Sequence, residues 1–491
     1  MLTGVKGEAV LAFDGRGHRL LRNGIVVFEG NTITYVGAGY PGRLDAVVDT
    51  GRCLVLPGFV NIHTHGGAEP GGRLILDCGR ADAFNTGYMN VQTTRPGRRH
   101  IGQREDPALG ARQYLAECVR HGSTTVVNVG QGGRELIAAA REIGVRLYAG
   151  PRYAGAVYVE ETPGRIEYRW DEARGEAGLR EACEFAAEAA RDGGGLVTGM
   201  LCPHAADTCG EALLAATMRA ADDLGVRVQI HAAQGLFEFT EMVRRTQLTP
   251  IRWLHARGVL GPRTILGHAI FLDHHPLAPA PGRIDLDLLA ASGAHVAHCP
   301  LALARRGWAL HSFDRYRRAG VNVAIGTDTC PRDIVDEMRW ASYVCKLVEG
   351  DFTAGQPADV INAATLGAAA ALGRDDLGRL APGARADIAA YRLDQVRVGP
   401  VLDPVRSLIH YAAGGPAAHV WVDGRRVVES GAVAGVDEAR LSGDVQRMGE
   451  RLWADVPEWE GSGRTAEQMC PPAFPLLDQI EPVDHVEPGS R

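Results

Sequence analysis

Leu56-Pro57-Gly58-Phe59-Val60-Asn61-Ile62-His63-Thr64-His65 is an apolar run that ends in two histidines spaced two apart. Read as a strand, its alternation sends both imidazoles to one face, at the carboxyl end. Two neutral imidazoles so placed are half of a metal site. The other half has to come from elsewhere in the chain.

From Leu54 onward, strands alternate with helical stretches. The strands expected after the first are Thr124–Val129, Arg146–Tyr153, Leu196–Cys202, Val226–His231, Thr264–Phe271, His295–Cys299 and Asn322–Gly326. Helical stretches lie between them, from Pro107–Gly122 to the closing pair Arg332–Val348 and Pro357–Leu372. Eight β/α units predict a (β/α)8 TIM-like barrel, an α/β fold with its chemistry at the strand C-termini.

The segments on either side read as β. Glu8–Phe13, Gly24–Glu29, Thr32–Val36 and Ala46–Asp49 precede the barrel, with turns expected at Asp14-Gly15, Asn23-Gly24 and Gly30-Asn31. Ala386–Arg392, Ala418–Val422 and Arg425–Glu429 follow it. The expected domains are a composite β-sandwich from 1–56 and 376–436, a catalytic barrel over 57–375, and a helix with a Pro-rich tail over 437–491. In that tail Trp453, Trp459 and Phe474 are expected to dock on the body or on a partner subunit.

Composition narrows the class. The 491 residues are 45% hydrophobic and 23% charged, with a net charge of −7. That acidity argues against nucleic acid or an anionic membrane as partner. Lys6 and Glu8 interrupt any leader-like opening, and no run is long enough to span a bilayer, so a cytoplasmic protein is expected. The ten cysteines form no C-x-x-C pair, which suits reduced, buried thiols.

The strand ends carry the signal. His63 and His65 close the first, Pro203-His204 follows the fourth, His231 ends the fifth, Gly267-His268 lies in the sixth, and Gly326-Thr327-Asp328 ends the eighth. Any one of these has a plain structural reading, as a satisfied histidine or a helix N-cap. Together, three imidazoles and a carboxylate make an N3O site with room for water, the pattern of a catalytic zinc or iron(II) centre.

These residues carry a family resemblance. The chain resembles the amidohydrolase superfamily, in the mononuclear-metal branch that holds cytosine deaminase, guanine deaminase and the s-triazine hydrolases. The resemblance runs over approximately residues 5–435. It rests on the opening stretch, Gly122-Ser123-Thr124-Thr125, Pro203-His204, His231-Ala232-Ala233, Gly267-His268, His298-Cys299-Pro300, the run Ala319–Asp328, and Leu377-Gly378 with Pro382–Asp387. It implies metal ligands His63, His65, His231 and Asp328, with His268 bonded to the attacking water or the substrate. The superfamily's two-metal branch bridges its metals with a modified barrel lysine. Lys6 and Lys346 both lie outside the eight strands, so one divalent metal is expected, Zn2+ ahead of Fe2+.

On this reading a divalent metal lowers the pKa of its water from 15.7 toward about 7. Asp328 then takes a proton from that water and passes one to the leaving group, while His268 orients the nucleophile. His204 has two readings, a substrate contact or a wall histidine. Gln234 departs from the His-x-x-Glu of related deaminases. It cannot ionise, though its amide both donates and accepts, and this weakens a plain cytosine deaminase reading. Glu238, one turn on, reads as structural. After strand seven the usual Ser-Asn pair is replaced by Leu301–Gly307, where Arg305 or Arg306 is a candidate for an anionic substrate group. The long 66–105 stretch, with Tyr88, Asn90 and Gln92, is the expected specificity element.

The expected activity is metal-dependent hydrolysis that releases ammonia or an amine from an aminated N-heterocycle, a small molecule, in a homo-oligomeric enzyme. Hydrolytic dehalogenation or amide hydrolysis on the same fold is the alternative within enzymes. A catalytically silent binding protein is the alternative outside them.

Overall fold

A computed structural model describes residues 1–66, 106–130, 133–159, 166–191, 195–278, 282–459 and 463–475. Tyr88, Asn90 and Gln92 lie outside these residues, as do Cys78 and the end of the tail.

The two chain ends build one nine-stranded sheet. Leu2–Phe13 pairs antiparallel with His18–Glu29 and parallel with Cys53–Pro57. Cys53–Pro57 in turn pairs antiparallel with Ile388–Arg392, which leads on to His419–Val422, Arg425–Glu429 and Ala432–Val433. The stretch before the first histidine is therefore stitched to a strand more than three hundred residues later. Val5, Val26, Phe28, Val55, Ile388 and Trp421 form a buried cluster on this sheet. Asn23-Gly24 is not a turn. It lies inside His18–Glu29, where the pairing passes from Gly7 opposite Gly24 to Ala9 opposite Arg22. Asn23 absorbs the irregularity at φ 50°. The reversal is made at Asp14, whose carboxylate accepts the Arg16 and Gly17 amides at 2.9 Å each.

Parallel strands alternating with helices form the rest, in chain order. Phe59–Thr64, Ser123–Gly130, Arg146–Tyr153, Val197–Gly199 and Cys202–Pro203 make one sheet. Val228–Ala232, Thr264–His268, His295–His298 and Asn322–Ile325 make a second. Isolated parallel bridges join them on both sides. Leu201 meets Val228 and Ala205 meets His231 at one seam, and Thr64 meets Asp328 at the other. Most of these strands are buried throughout, which is why they read as near-continuous apolar runs.

Some elements differ from expectation. The fourth strand breaks into two short pieces. The sixth ends at His268 and not at Phe271, because His268 and Ala269 take φ of 83° and 45°. The amides of Ala269, Ile270 and Phe271 then turn back onto the Ala232 and Ala233 carbonyls at 2.9–3.0 Å. A hairpin of Ala156–Val159 with Glu167–Trp170, unexpected from the sequence, leaves the end of Arg146–Tyr153.

The C-terminal helix Glu438–Ala454 docks through Met448 and Leu452. Phe474, expected to dock on the body or on a partner subunit, is 82% exposed among the described residues. No described helix is long and apolar enough to cross a membrane. Burial pushes the Cys202 and Cys209 thiols up to about 12 and about 11, as befits inert packing cysteines.

Candidate metal centre

The Phe59–Thr64 strand delivers His63 and His65 by clamping itself to the eighth strand. The Asp328 amide donates to the His63 carbonyl and the His65 amide to the Asp328 carbonyl, both at 2.8 Å. Below this clamp Asn61 and Thr327 exchange two hydrogen bonds, at 2.9 and 3.0 Å. Gly326 is required here, since a Cβ would stand 2.7 Å from the His63 nitrogen. Gln229 ties the fifth strand in by donating to the Ile62 carbonyl at 3.0 Å. Asp328 sits at φ 55° and Ala233, two residues after His231, at φ 50°. Such backbone costs about 1–3 kcal/mol per residue and is held only where surroundings impose it, as functional sites do.

His63, His231, His268 and Asp328 are each at most 4% exposed. Their ligating atoms form two overlapping sets, His63–His231–His268 and His63–His65–Asp328, each within 4.8 Å. Backbone carbonyls set two of the tautomers. His65 Nδ1 lies 2.6 Å from the Val129 carbonyl oxygen, and His231 Nδ1 lies 2.6 Å from that of His204. Both Nδ1 atoms therefore carry the proton, and both Nε2 atoms present lone pairs. Yet these two Nε2 atoms face each other at 3.2 Å, and His65 Nε2 stands 3.4 Å from Asp328 Oδ1. Acceptors crowd like this around a cation. Ligands about 2.1 Å from a tetrahedral metal stand about 3.4 Å apart. Both ring nitrogens of His63, both of His268 and both Asp328 oxygens are buried and make no hydrogen bond among the described residues. The donor set fits one divalent metal.

Protonation agrees. Burial, then the crowding of His268, His65 and His231, holds His63 well below the ordinary histidine range. Burial does the same to His268, and together with His65 it brings His231 down to about 3. Burial pushes the Asp328 carboxyl up, but His65, His63 and Arg306 outweigh it, so it remains a carboxylate. Four neutral imidazoles and an anion are what a metal needs. Neither lysine enters. Lys346 donates to the Phe352 and Ala354 carbonyls, and Lys6 lies in the N-terminal sheet opposite Ile25.

The remaining candidates separate. Gln234 is buried, three residues past His231, and its backbone amide donates to Glu238 at 2.8 Å. Glu238 also accepts the Ala233 amide at 2.8 Å, so its carboxyl holds the loop, as the sequence implies. His204 packs edge-on against His231, ring centres 5.7 Å apart, and its Nδ1 bonds Thr208 at 3.0 Å. Arg305 is exposed and donates to the Cys330 carbonyl at 2.8 Å, bracing the loop after Asp328. It is Arg306 whose charge acts on His268 and Asp328. Two arginines escaped the sequence reading. Arg152 lowers His65, His204 and His231 from the third strand's end. Arg332, fully buried over the Tyr114 ring, donates to the His65 carbonyl at 2.6 Å. A search of strand ends for histidine and aspartate passes both by.

His298, outside the ligand sets, gives a pH prediction. Burial lowers it to about 3. Above pH 6.5 it is neutral in both folded and unfolded chains. As pH falls below 6.5 the unfolded chain takes a proton that the fold refuses, so stability is lost from pH 6.5 down toward 3. The stability difference between wild type and His298→Gln is therefore expected to shrink by about 2 kcal/mol from pH 7 to pH 5. Urea titrations at the two pH values check it, and a constant difference would refute it.

Residues 54–427 match the amidohydrolase family. A 5-methylthioadenosine/S-adenosylhomocysteine deaminase of Natronomonas pharaonis is 30% identical over 440 residues, covering 89% of this chain and 94% of that one. An adenosine deaminase from Xanthomonas campestris, solved with bound zinc, superposes with a TM-score of 0.76 at 23% identity, covering 92% and 98% of the two chains. The zinc complex of atrazine chlorohydrolase from Arthrobacter aurescens gives 0.76 at 23%, covering 91% and 100%.

Proposed function

Because the chain belongs to the amidohydrolase family and is a hydrolase of carbon–nitrogen bonds, we propose that it deaminates an adenine nucleoside, replacing the exocyclic amine by oxygen and releasing ammonia. The observation that carries this reading is the cage of acceptors at His65, His231 and Asp328, set in a chain that aligns along most of its length with a nucleoside deaminase. We read the two parallel sheets, joined at both seams, as one eight-stranded barrel over 57–375. The nine-stranded sheet is read as a sandwich domain from 1–56 and 376–436, with 437–491 as an appended helix and tail.

His63, His65, His231 and Asp328 would hold the metal, zinc in preference to iron(II). When bound, the metal supplies an acidified water at neutral pH. The Asp328 carboxylate accepts a proton from the attacking water and returns one to the departing amine. Its position is not adjustable, being clamped through His63, Asn61 and Thr327. His268, neutral and with Nε2 3.9 Å from Asp328 Oδ2, orients the attacking oxygen and stabilises charge at the reacting carbon. Gln234 holds the ring by its amide, donating and accepting without ionising. His204 lines the wall beside it.

Gln234 also supports a second reading, in which a ring already electrophilic enough loses another leaving group such as halide. Product analysis separates the two. With added Zn2+, adenosine and 5′-methylthioadenosine are expected to release ammonia, and cytosine and guanine to react poorly. Halide from a chlorotriazine with no ammonia from either nucleoside would overturn the deaminase assignment.

A further inference from the structure

The hairpin that the sequence did not announce stands beside the metal centre, and nothing in the hydrolytic chemistry uses it. Tyr158 and Tyr168 are cross-strand partners in it. Both hydroxyls are directed at one buried group. Tyr158 donates to the two Asp207 oxygens at 3.0 Å each and Tyr168 to Oδ2 at 2.6 Å. Asp207 is fully buried and lies three residues after His204. Anchored by their polar ends, the two rings can offer a ligand only carbon.

Phe237 completes the group, edge-on to Tyr158 at 5.4 Å and tilted against Tyr168 at 6.5 Å. It is the second residue of helix Leu236–Thr246, whose start is fixed by Glu238 accepting the Ala233 and Gln234 amides. His204 joins this group to the metal centre. Its ring stands 5.7 Å from Tyr158 and 5.7 Å from His231, and its carbonyl sets the His231 tautomer. His204, Tyr158, Tyr168 and Phe237 are all half-buried, so each keeps part of its surface accessible. Arg245 spends its guanidinium on the Tyr168 and Trp170 rings, at 5.6 and 5.0 Å, and on the Asp207 carbonyl at 2.9 Å.

We propose that Tyr158, Phe237 and Tyr168 form an apolar subsite, continuous with the metal centre through His204, that receives the uncharged 5′ substituent of the substrate. The proposal rests on the adenine-nucleoside reading above. An aromatic wall with its hydroxyls turned inward favours alkyl, thioether or aryl groups, sulfur on aromatic edges included. The three rings themselves give a phosphate no hydrogen-bond donor, and the Asp207 carboxyl lies behind them.

The test reads binding, not turnover. Titration calorimetry on the zinc-loaded protein uses the deaminated forms inosine, 5′-deoxyinosine and 5′-methylthioinosine, which carry no amine to lose. The wild type is expected to bind 5′-methylthioinosine roughly tenfold more tightly than inosine, with the deoxy compound between them. Phe237→Ala and Tyr158→Leu are each expected to reduce that ratio to within about twofold while zinc content holds and the variants stay folded. The two variants come from different elements, so a folding defect in one leaves the other to decide. Equal wild-type affinities, no binding, or an unchanged ratio in a folded variant would overturn the subsite. Ammonia release from adenosine, which has no apolar 5′ group, reports separately on the deaminase reading.

Discussion

Asp328→Asn is expected to lower kcat/KM by about 10^4-fold or more while the protein stays folded. In the proposed mechanism the side chain, 3.4 Å from His65 Nε2, is both a metal donor and the base that takes a proton from water. The amide keeps the size of the carboxyl but loses its charge and basicity. General-base removal alone costs about 10^2–10^4-fold, and a weakened metal site adds to that. Asparagine is the right replacement because Asp328 sits at φ 55°, where asparagine is tolerated and alanine adds strain. The measurement pairs steady-state kinetics with elemental analysis, at saturating Zn2+ and without it. Activity within tenfold of wild type would remove Asp328 from the mechanism.

The largest expected loss of stability lies at the opposite end of the strands. Arg146 begins the third parallel strand and is 1% exposed. It reaches Asp423 at 2.8 Å and Asp387 at 3.3 Å, both from the C-terminal β segment. Burial raises the Asp387 carboxyl, and Arg146 works against that rise. Arg146→Met removes the only partner that neutralises it among the ion pairs of the described residues, so a buried carboxylate must lose its charge or open the interface. Breaking such a pair from one side costs about 3–5 kcal/mol. Denaturant unfolding is expected to show that loss, with zinc content unchanged because the proposed ligands sit at the other strand ends. A loss under 1 kcal/mol would mean that this buried ion pair does not hold the two parts together.

Much of the site was legible because its residues obey simple rules. His63 and His65 sit two apart on a strand, and His231, His268 and Asp328 end strands at one rim, where catalytic groups gather. What supports them was not legible. Asn61, Gln229 and Arg332 are buried polar residues whose partners are far away in sequence, and no local pattern marks them. The Tyr158–Tyr168 hairpin was missed because its strands are four residues each, and it is read only once Asp207 is seen to bind both hydroxyls. Asn23-Gly24 misled in the other direction. Its turn chemistry is sound, but pairing with Leu2–Phe13 along the whole strand overrides it. The sixth strand ran short because the chain turns at His268 and Ala269, which no local pattern announces.

The most direct test of the account is a zinc titration of metal-free protein, following ammonia release from 5′-methylthioadenosine. Activity is expected to be absent without metal, to rise linearly, and to saturate at one equivalent of zinc per chain. Saturation at two equivalents, or ammonia release that ignores zinc, would contradict the single-metal centre built on His63, His65, His231 and Asp328.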